Sequence, residues 1–487
     1  MHSERWSTFR YDRTILAVVR SPASVIRLWD VLDLVRDPGV RVVFTINRTS
    51  EFRDEVADLL SAQDVRPVAW EDLDSVDYDL VLTASEDIYL QELRDVPVIV
   101  IPHGVGFHRF VPDSATGDTR LSGVVPPEAR RRRRVLQVVT HPDQAAQLGP
   151  TLPTLVTGDP CYDRILASTH LRDDYRRALD VGDRALVMVS STWGEQSLIG
   201  TMPDLPALLL GELPADSYRV AAVLHPNVWA KEGGHGIRSA LGDALDAGLL
   251  LTDDWQATLL ASDVVIGDHG SITFYAAALG KPLLLGAFGT DVVPDTPRDV
   301  LGSLAPRLDR GQSLVEQVAK SALTLQELGR TAISNAGDAA WSLRDLLYTT
   351  LGLEPPDTPA RIRSYLNPVA EQRPVHSYLV YVLDGEMWRI PAAVAPVAPD
   401  DDAGHLAVTT RERDLRLRQN AAVVARQELA PQPEQWIARA LYDHPGAALV
   451  ATAIENGCLV GFRDGRIIAV ALRRDPLWTA SDVYSRQ

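Results

Sequence analysis

Three histidines follow apolar, strand-like runs where the sequence turns to small residues or proline. They are His103 in VIVIPHGVG, His225 in VAAVLHPNVW and His269 in VVIGDHGS. An imidazole can take a proton from a hydroxyl near neutral pH, although a strand-end histidine is also commonly a hydrogen-bonded structural residue. Open α/β folds bind ligands at the carboxyl ends of their strands. The three positions therefore suggest one shared cleft in which protons are transferred.

Small and hydroxyl-bearing residues near these histidines are suited to a phosphate. Gly104 and Gly106 have no Cβ and let a ligand approach the backbone, and Ser271 is a natural N-cap for a helix that ends at Gly280. The free amides of a helix start can bind an anion. A capped helix without a ligand needs the same residues, so both interpretations stay open. Hydroxyls at another predicted strand end come from Ser190, Ser191 and Thr192.

Two series of short β-branched runs must position these loops. Helix-compatible segments such as 24–35 and 51–62 separate the first runs, and this alternation is typical of βαβ units. The predicted strands are 15–19, 40–46, 80–82 and 98–101, followed by 185–189, 220–224, 249–251, 264–266 and 283–285. The sequence predicts an α/β protein with two Rossmann-like, doubly wound parallel sheets that meet between residues 134 and 159.

The C-terminal part of the chain has a different pattern. The runs YLVYVLDGEMWRI and CLVGFRDGRIIAVAL each place Asp-Gly between strand-like segments, which is a hairpin signal. Prolines at 355, 356 and 359 interrupt the pattern before it. The predicted division is a Rossmann-like domain at 1–150, a second at 151–345, a Pro-rich helical linker at 346–374 and a small strand-rich domain at 375–487.

Composition limits the partners. The chain has 487 residues and a net charge of −17, which argues against nucleic acid, since phosphate backbones bind basic surfaces. Five consecutive arginines, Arg130, Arg131, Arg132, Arg133 and Arg134, form either a solvated face or a docking patch for an anionic polymer or membrane surface. The chain start lacks a signal-peptide core and no run is long enough to span a membrane. We expect a cytoplasmic protein, at most peripheral at the inner membrane face.

The order of these motifs resembles the GT-B glycosyltransferase superfamily, and within it the CDP-glycerol:polyglycerophosphate glycerophosphotransferases of the teichoic-acid polymerase type. The resemblance covers about residues 80–290 and rests on His103-Gly104, the turn TGDPCYD at 157–163, His225-Pro226, and Asp268-His269-Gly270-Ser271 ahead of Gly280-Lys281-Pro282. His269 and Gly270 depart from the family's Tyr and Ser, and SSTW replaces a Pro-Thr-Trp-like run. These departures leave the donor open.

The resemblance implies a transferase that moves a glycosyl or glycerophosphate group from a nucleotide-activated donor to an acceptor hydroxyl. His103 is then the general base, and His225 contacts the donor pyrophosphate. Asp268 orients a neighbouring loop or binds a donor hydroxyl. No metal and no cofactor beyond the donor itself is required, and the acceptor is unspecified. The implied donor- or phosphate-binding residues are Gly104, Gly106, Ser191, Thr192, Asp268, His269, Gly270, Ser271 and Thr273.

Two other functions stay open. A UDP-sugar 2-epimerase shares the architecture but needs an acid and a base carboxylate near the sugar, and the sequence offers no convincing pair. A non-catalytic binding or assembly scaffold, with the strand-rich tail carrying the function, could lack nucleotide binding altogether. Three histidines at strand ends favour an enzyme over a scaffold.

Overall fold

The computed structural model describes residues 9–86, 88–106, 109–112, 119–126, 134–383, 385–395 and 404–487. Of the arginine run, only Arg134 lies within these ranges, so the docking patch at Arg130–Arg134 stays a prediction. None of the described helices combines the length and apolar character needed to cross a membrane.

The first sheet is parallel throughout. The strands of the first part of the chain are β1 (Arg13–Val19), β2 (Val40–Ile46), β3 (Leu80–Thr83), β4 (Val98–Val100), β5 (Phe110–Pro112), β6 (Thr119–Leu121), β7 (Val135–Val139) and β8 (Thr154–Val156). The sheet order is β2-β1-β3-β4-β7-β8. Strands β5 and β6 form a separate antiparallel pair. All four predicted strands of this sheet are confirmed, whereas β7 and β8 were not predicted.

The second sheet is also parallel. Its strands are β9 (Ala185–Ser191), β10 (Tyr218–Leu224), β11 (Leu250–Thr252), β12 (Val264–Gly267) and β13 (Leu283–Leu285), in the order β11-β10-β9-β12-β13. The pairings connect only members of this sheet. The prediction of two separate parallel sheets is therefore confirmed.

Helices cover both faces of each sheet, which explains why the strands are continuous apolar runs. The helix Pro22–Leu32 begins after a capping box between Ser21 and Ser24 and buries Val25 and Leu28 against the first sheet. The α-helices of the described residues are Pro22–Leu32, Arg53–Ser61, Pro142–Leu148, Pro160–Ala167, Arg172–Ala178, Leu198–Thr201, Leu205–Glu212, Pro226–Ala240, Gly242–Asp246, Trp255–Ala261, Ser271–Ala278, Pro297–Leu304, Leu314–Ala319, Gln326–Arg330, Ala339–Leu351, Leu415–Asn420, Pro433–Asp443 and Pro476–Ser485.

The chain crosses back to the first sheet after completing the second. Ala340, Leu343 and Leu347 of the helix Ala339–Leu351 are buried in the core of the first sheet. That sheet also runs past residue 150, to the end of β8. The domain bounds of 150 and 345 stay predictions, because a linear division of the sequence cannot represent a helix that packs on a sheet formed much earlier.

The C-terminal part forms a mixed sheet of its own. Its strands are β14 (Ser377–Leu383), β15 (Glu386–Pro391), β16 (Gly404–Thr409), β17 (Val423–Leu429), β18 (Leu449–Ile454), β19 (Gly457–Phe462) and β20 (Ile467–Val470), in the order β15-β14-β16-β17-β18-β19-β20. Both Asp-Gly hairpins are confirmed, since β14 pairs antiparallel with β15 and β19 with β20. The strand-rich C-terminal unit is confirmed as well.

Candidate active site

An interdomain cleft of about 860 Å³ lies between the two parallel sheets, and loops from both sheets line it. This is the arrangement expected when the carboxyl edges of two sheets face each other. Nine predicted site residues line the cleft, namely His103, Gly104, Gly106, Ser191, Thr192, His225, His269, Gly270 and Ser271. Asp268 and Thr273 lie behind the lining and are 1% and 0% exposed.

The loop of His103 packs directly on the start of the helix Ser271–Ala278. Ser271 Oγ accepts the Val105 backbone N–H at 3.3 Å, and a Cβ on Gly104 would stand 2.5 Å from the same oxygen. Gly104 therefore permits a close approach between two loops, in addition to the ligand approach expected from the sequence. This contact joins the predicted base loop to the predicted phosphate loop.

The start of this helix differs from the prediction in one respect. Gly270 is the N-cap residue and Ser271 is the first helical residue, with no side-chain cap hydrogen bond. The Ser271 hydroxyl is instead engaged by Val105 from the facing loop. The predicted C-terminal signal is confirmed: Gly280 has φ of +69°, and the Gly280 and Lys281 amides donate to the Ala277 and Ala276 carbonyls.

Asp268 organises the loops of the second sheet. Its Oδ2 accepts the amides of Thr192 at 2.8 Å and Leu198 at 2.9 Å, and its Oδ1 accepts the Gly270 amide at 2.8 Å. Burial raises the pKa of Asp268, and these three hydrogen bonds oppose that rise. Of the two predicted roles for Asp268, loop orientation matches these contacts. Donor binding by Thr273 does not match its position, because its hydroxyl is fully buried beneath the strand end.

His225 is both a helix cap and a cleft residue. Its Nδ1 accepts the Asn227 backbone N–H at 3.1 Å, at the start of the helix Pro226–Ala240. A neutral ring in this geometry carries its proton on Nε2. Burial, with smaller contributions from His103 and Arg109, lowers the pKa of His225 to about 3. His225 is therefore a neutral hydrogen-bond donor over the physiological pH range.

His103 is exposed in the cleft and interacts electrostatically with a carboxylate that the sequence analysis missed. Burial opposes ionisation of Glu86, but the charge of His103, the Gly123 backbone N–H and Arg120 together lower the pKa of Glu86. Arg120 Nη1 lies 3.1 Å from Glu86 Oε1. An ionised carboxylate beside an imidazole is the usual means of orienting a base. No spacing signal marks Glu86, because it lies on a different loop of the first sheet from His103.

A second omission is a pair of arginines near His269. Arg109 Nε donates to Asp291 Oδ2 at 2.7 Å, which joins the two halves of the chain across the cleft. Arg298 is 5% exposed, its Nε has no hydrogen-bond acceptor among the described residues, and burial lowers its pKa to about 10. His269 Nδ1 accepts the Gly289 amide at 3.0 Å, and burial lowers the pKa of His269 to about 4. The positive charge of the site thus comes from the arginines.

Neither family models nor curated protein sequences match the chain. Solved structures do match it. The wall teichoic acid polymerase TagF superposes with a TM-score of 0.50 at 15% identity, over 70% of this chain and 90% of that one. The fold is GT-B. A UDP-GlcNAc 2-epimerase from Neisseria meningitidis bound to UDP-GlcNAc matches at a TM-score of 0.42, 14% identity, 69% of this chain and 99% of that one. A UDP co-structure of MnaA from S. aureus matches at a TM-score of 0.42 and 16% identity, over 70% of this chain and 98% of that one.

The floor of the GT-B cleft is a buried polar group that spans both halves. Arg27 Nη1 binds Asp159 Oδ1 at 2.9 Å, and Arg27 Nη2 donates to the Tyr275 hydroxyl at 3.1 Å. Asp159 also caps the helix Pro160–Ala167 through the Cys161 amide at 2.9 Å. The turn TGDPCYD therefore holds the two halves of the GT-B fold together through Asp159.

Aromatic side chains form much of the remaining wall of the GT-B cleft. Trp193, Trp229 and Trp255 line it, and Trp193 is 44% exposed with its ring centroid 6.4 Å from that of His225. Such faces can stack on a nucleobase or a sugar. Within the described ranges, no group of three or more His, Cys, Asp or Glu side chains is arranged to hold a metal ion.

Proposed function

We propose that this protein is a transferase that moves a glycosyl or glycerophosphate group from a nucleotide-activated donor to an acceptor hydroxyl. The observation that carries the proposal is the contact of the His103-Gly104 loop with Ser271, next to His225, in one cleft. In this proposal His103 is the proton acceptor and the start of the helix Ser271–Ala278 binds the anion, and the two lie on facing halves of a GT-B fold. The reaction is cytoplasmic in this proposal.

His103 is the general base of the proposed reaction. Its imidazole takes the proton of the acceptor hydroxyl while that oxygen attacks the anomeric carbon of a glycosyl donor or the phosphorus of a glycerophosphate donor. The bond to the nucleotide breaks, and its electron pair leaves with the nucleotide phosphate. Glu86 stabilises the imidazolium that forms, because it is ionised and interacts electrostatically with His103.

Hydrogen-bond donors and a positive charge held in fixed positions stabilise the negative charge that develops on the leaving nucleotide. His225 presents a neutral Nε2–H, the helix Ser271–Ala278 presents its first amides, and Arg298 adds a buried positive charge. Donors positioned before the reaction stabilise a developing charge without reorganisation. Among the described residues, the Nε of Arg298 has no hydrogen-bond acceptor, as expected of a side chain that binds a phosphate ligand.

The experiment has two stages. A thermal-shift panel of CDP-, UDP-, GDP- and dTDP-linked donors first finds the nucleotide, because a ligand that binds the native state raises the melting temperature. Release of that nucleotide is then measured for the parent and for His103→Ala, with His170→Ala, an exposed histidine away from the cleft, as the control. We expect His103→Ala to lose turnover by ~10²–10⁴-fold with an unchanged melting temperature. Equal turnover in the three proteins would exclude a His103 base, and no binding of any donor would favour a scaffold.

Epimerisation at C2 is the second candidate. Two carboxylates of the cleft, Asp30 and Asp254, have pKa values raised by burial, as an acid–base pair requires. Both are already engaged, however, by Arg164 at 2.8 Å and by the Val369 amide at 2.7 Å. Incubation with UDP-GlcNAc followed by analysis for the C2 epimer separates the two functions, since only an epimerase yields it without an acceptor.

A further inference from the structure

A second cavity lies far from the cleft, between the second parallel sheet and the C-terminal sheet. It has a volume of about 400 Å³, and we call it the seam cavity. Two contacts close the seam beside it: Arg389 Nη2 binds Asp216 Oδ1 at 2.5 Å, and the Ala215 amide donates to the Arg389 carbonyl at 2.9 Å. The charged residues that line it are Arg184, Arg219, Arg389, Arg474, Asp183 and Asp216.

The carboxylates of the seam cavity leave one arginine without a counterion. Asp216 binds both Arg389 and Arg474, and the Nη1 of Arg474 lies 2.9 Å from Asp216 Oδ1. Asp475 Oδ2 lies 2.8 Å from Arg389 Nη1. Asp183 lies at the exposed rim. Arg219 has neither an ion pair nor a side-chain hydrogen bond among the described residues, although it is 9% exposed and its Nε and Nη2 are sealed from solvent.

A buried guanidinium without an acceptor is costly, so the position calls for an explanation. Burial and the charge of Arg184 lower the pKa of Arg219 to about 10, although the charge of Asp180 opposes the shift. The Nε and Nη2 of Arg184 donate to the backbone carbonyls of Val181 and Asp180. Two neighbouring cations, one of them unpaired, border a cavity that has room for a small molecule. An oxyanion in this cavity supplies the acceptors that Arg219 lacks.

We propose that the seam cavity is a binding site for a small oxyanion, a phosphate- or carboxylate-bearing metabolite, held by Arg219 with support from Arg184. The site is separate from the cleft. Strand β9 begins at Ala185, next to Arg184 of the seam cavity, and strand β10 begins at Tyr218, which lines that cavity. The two strands end at Ser191 and Leu224, which line the cleft. At about 3.3 Å per residue, the two sites stand about 20 Å apart at opposite ends of the same strands.

The test measures the melting temperature of the full chain in inorganic phosphate or in succinate, at an ionic strength held constant with sodium chloride. The parent is compared with Arg219→Met and with Arg310→Met, whose exposed arginine pairs with Asp204 on the same half of the chain. We expect phosphate, succinate or both to raise the melting temperature of the parent and the control. The two ions distinguish a phosphate from a carboxylate ligand.

Arg219→Met is expected to have opposite effects on the stability of the anion-free protein and on its affinity for the anion. Without the anion it should melt at or above the parent, because a buried unpaired charge has been replaced by an apolar chain. Its anion affinity should be weaker by about 10- to 100-fold, the usual worth of a charge-assisted hydrogen bond. Should Arg219→Met fail to fold, Arg184→Gln is measured in its place, and a weaker affinity is again expected.

The location of the bound anion is tested with Arg298→Met, which removes a positive charge from the cleft. The shift should persist in this variant if the anion binds in the seam cavity. The proposal is overturned if neither ion shifts the parent, or if Arg219→Met and Arg184→Gln bind as tightly as the parent. It is also overturned if Arg298→Met alone abolishes the shift, since the anion then binds in the cleft.

Discussion

A His-Pro pair follows a parallel strand at two places, His141-Pro142 and His225-Pro226, whereas a third pair, His444-Pro445, follows a helix. His141 follows β7 and His225 follows β10, and each of these two is the N-cap of a helix whose first residue is the proline. His141 Nδ1 accepts the Asp143 amide at 3.2 Å, just as His225 Nδ1 accepts the Asn227 amide at 3.1 Å. Proline suits the first helical position because it lacks the N–H that would stay unpaired there.

The surroundings of the two caps differ. His225 lines the cleft, close to His103 and Arg109, and burial lowers its pKa to about 3. His141 lies outside the residues that line the cleft, and its nearest charged group is Asp143 at 3.5 Å. One local motif therefore serves as a helix cap in both places, and its position relative to the facing sheet decides whether it can also meet a ligand.

The largest expected effect is on turnover. His225→Ala should reduce nucleotide release by about 10²–10³-fold, because it removes one fixed donor to the leaving phosphate, whereas His141→Ala should keep the turnover of the parent. The rates are measured with the donor that the thermal-shift panel selects. An equal loss in both variants would mean that the two histidines act only as caps.

The pH dependence of stability should also reveal the buried, neutral ring of His225. With a pKa of about 3 in the folded protein, His225 binds fewer protons there than in the unfolded chain, whose histidines titrate near 6.5. The free energy of unfolding therefore falls as the pH drops from about 6.5 toward about 3. His225→Asn should flatten this fall, measured by urea titration across that range. A slope unchanged by His225→Asn would contradict the buried neutral state.

Stability at neutral pH should show where the two caps are alike. Asparagine is a better N-cap than alanine by about 1 kcal/mol, so the Asn variant should be more stable than the Ala variant at each of the two positions. The turnover of His225→Asn should nevertheless stay as low as that of His225→Ala, since asparagine restores the cap without the imidazole. Recovery of turnover in His225→Asn would show that the cap, and not the ring, supports the activity.

The smallest effect is expected at the surface pair of the first motif. Asp143 is 81% exposed, and even a fully charged exposed pair is worth only about 0–1 kcal/mol, so Asp143→Asn should change the melting temperature little. The measurement is a thermal scan at low and high salt. A large, salt-dependent loss would indicate that His141 has an electrostatic role that its position does not suggest.

Much of the fold could be predicted because its signals are local. Nine predicted strands, the two Asp-Gly hairpins and the C-terminal glycine of the helix Ser271–Ala278 depend on periodicity and turn chemistry within a few residues. Strands β7 and β8 were not predicted, because β7 follows the arginine run and β8 is a short, only partly buried Thr-Leu-Val segment. The return of the helix Ala339–Leu351 to the first sheet has no local signal at all.

The candidate site divides in the same way. The sequence by itself determined which loops follow the strands and where His103, His225 and Ser271 lie in them. Apolar runs and helix caps depend on residues that are neighbours in the sequence. Only the tertiary structure decided that Glu86 interacts with His103, that Arg109 reaches Asp291, and that Thr273 points away from the cleft. Such arrangements join residues from different loops, and they form only when the strands and the two sheets have packed.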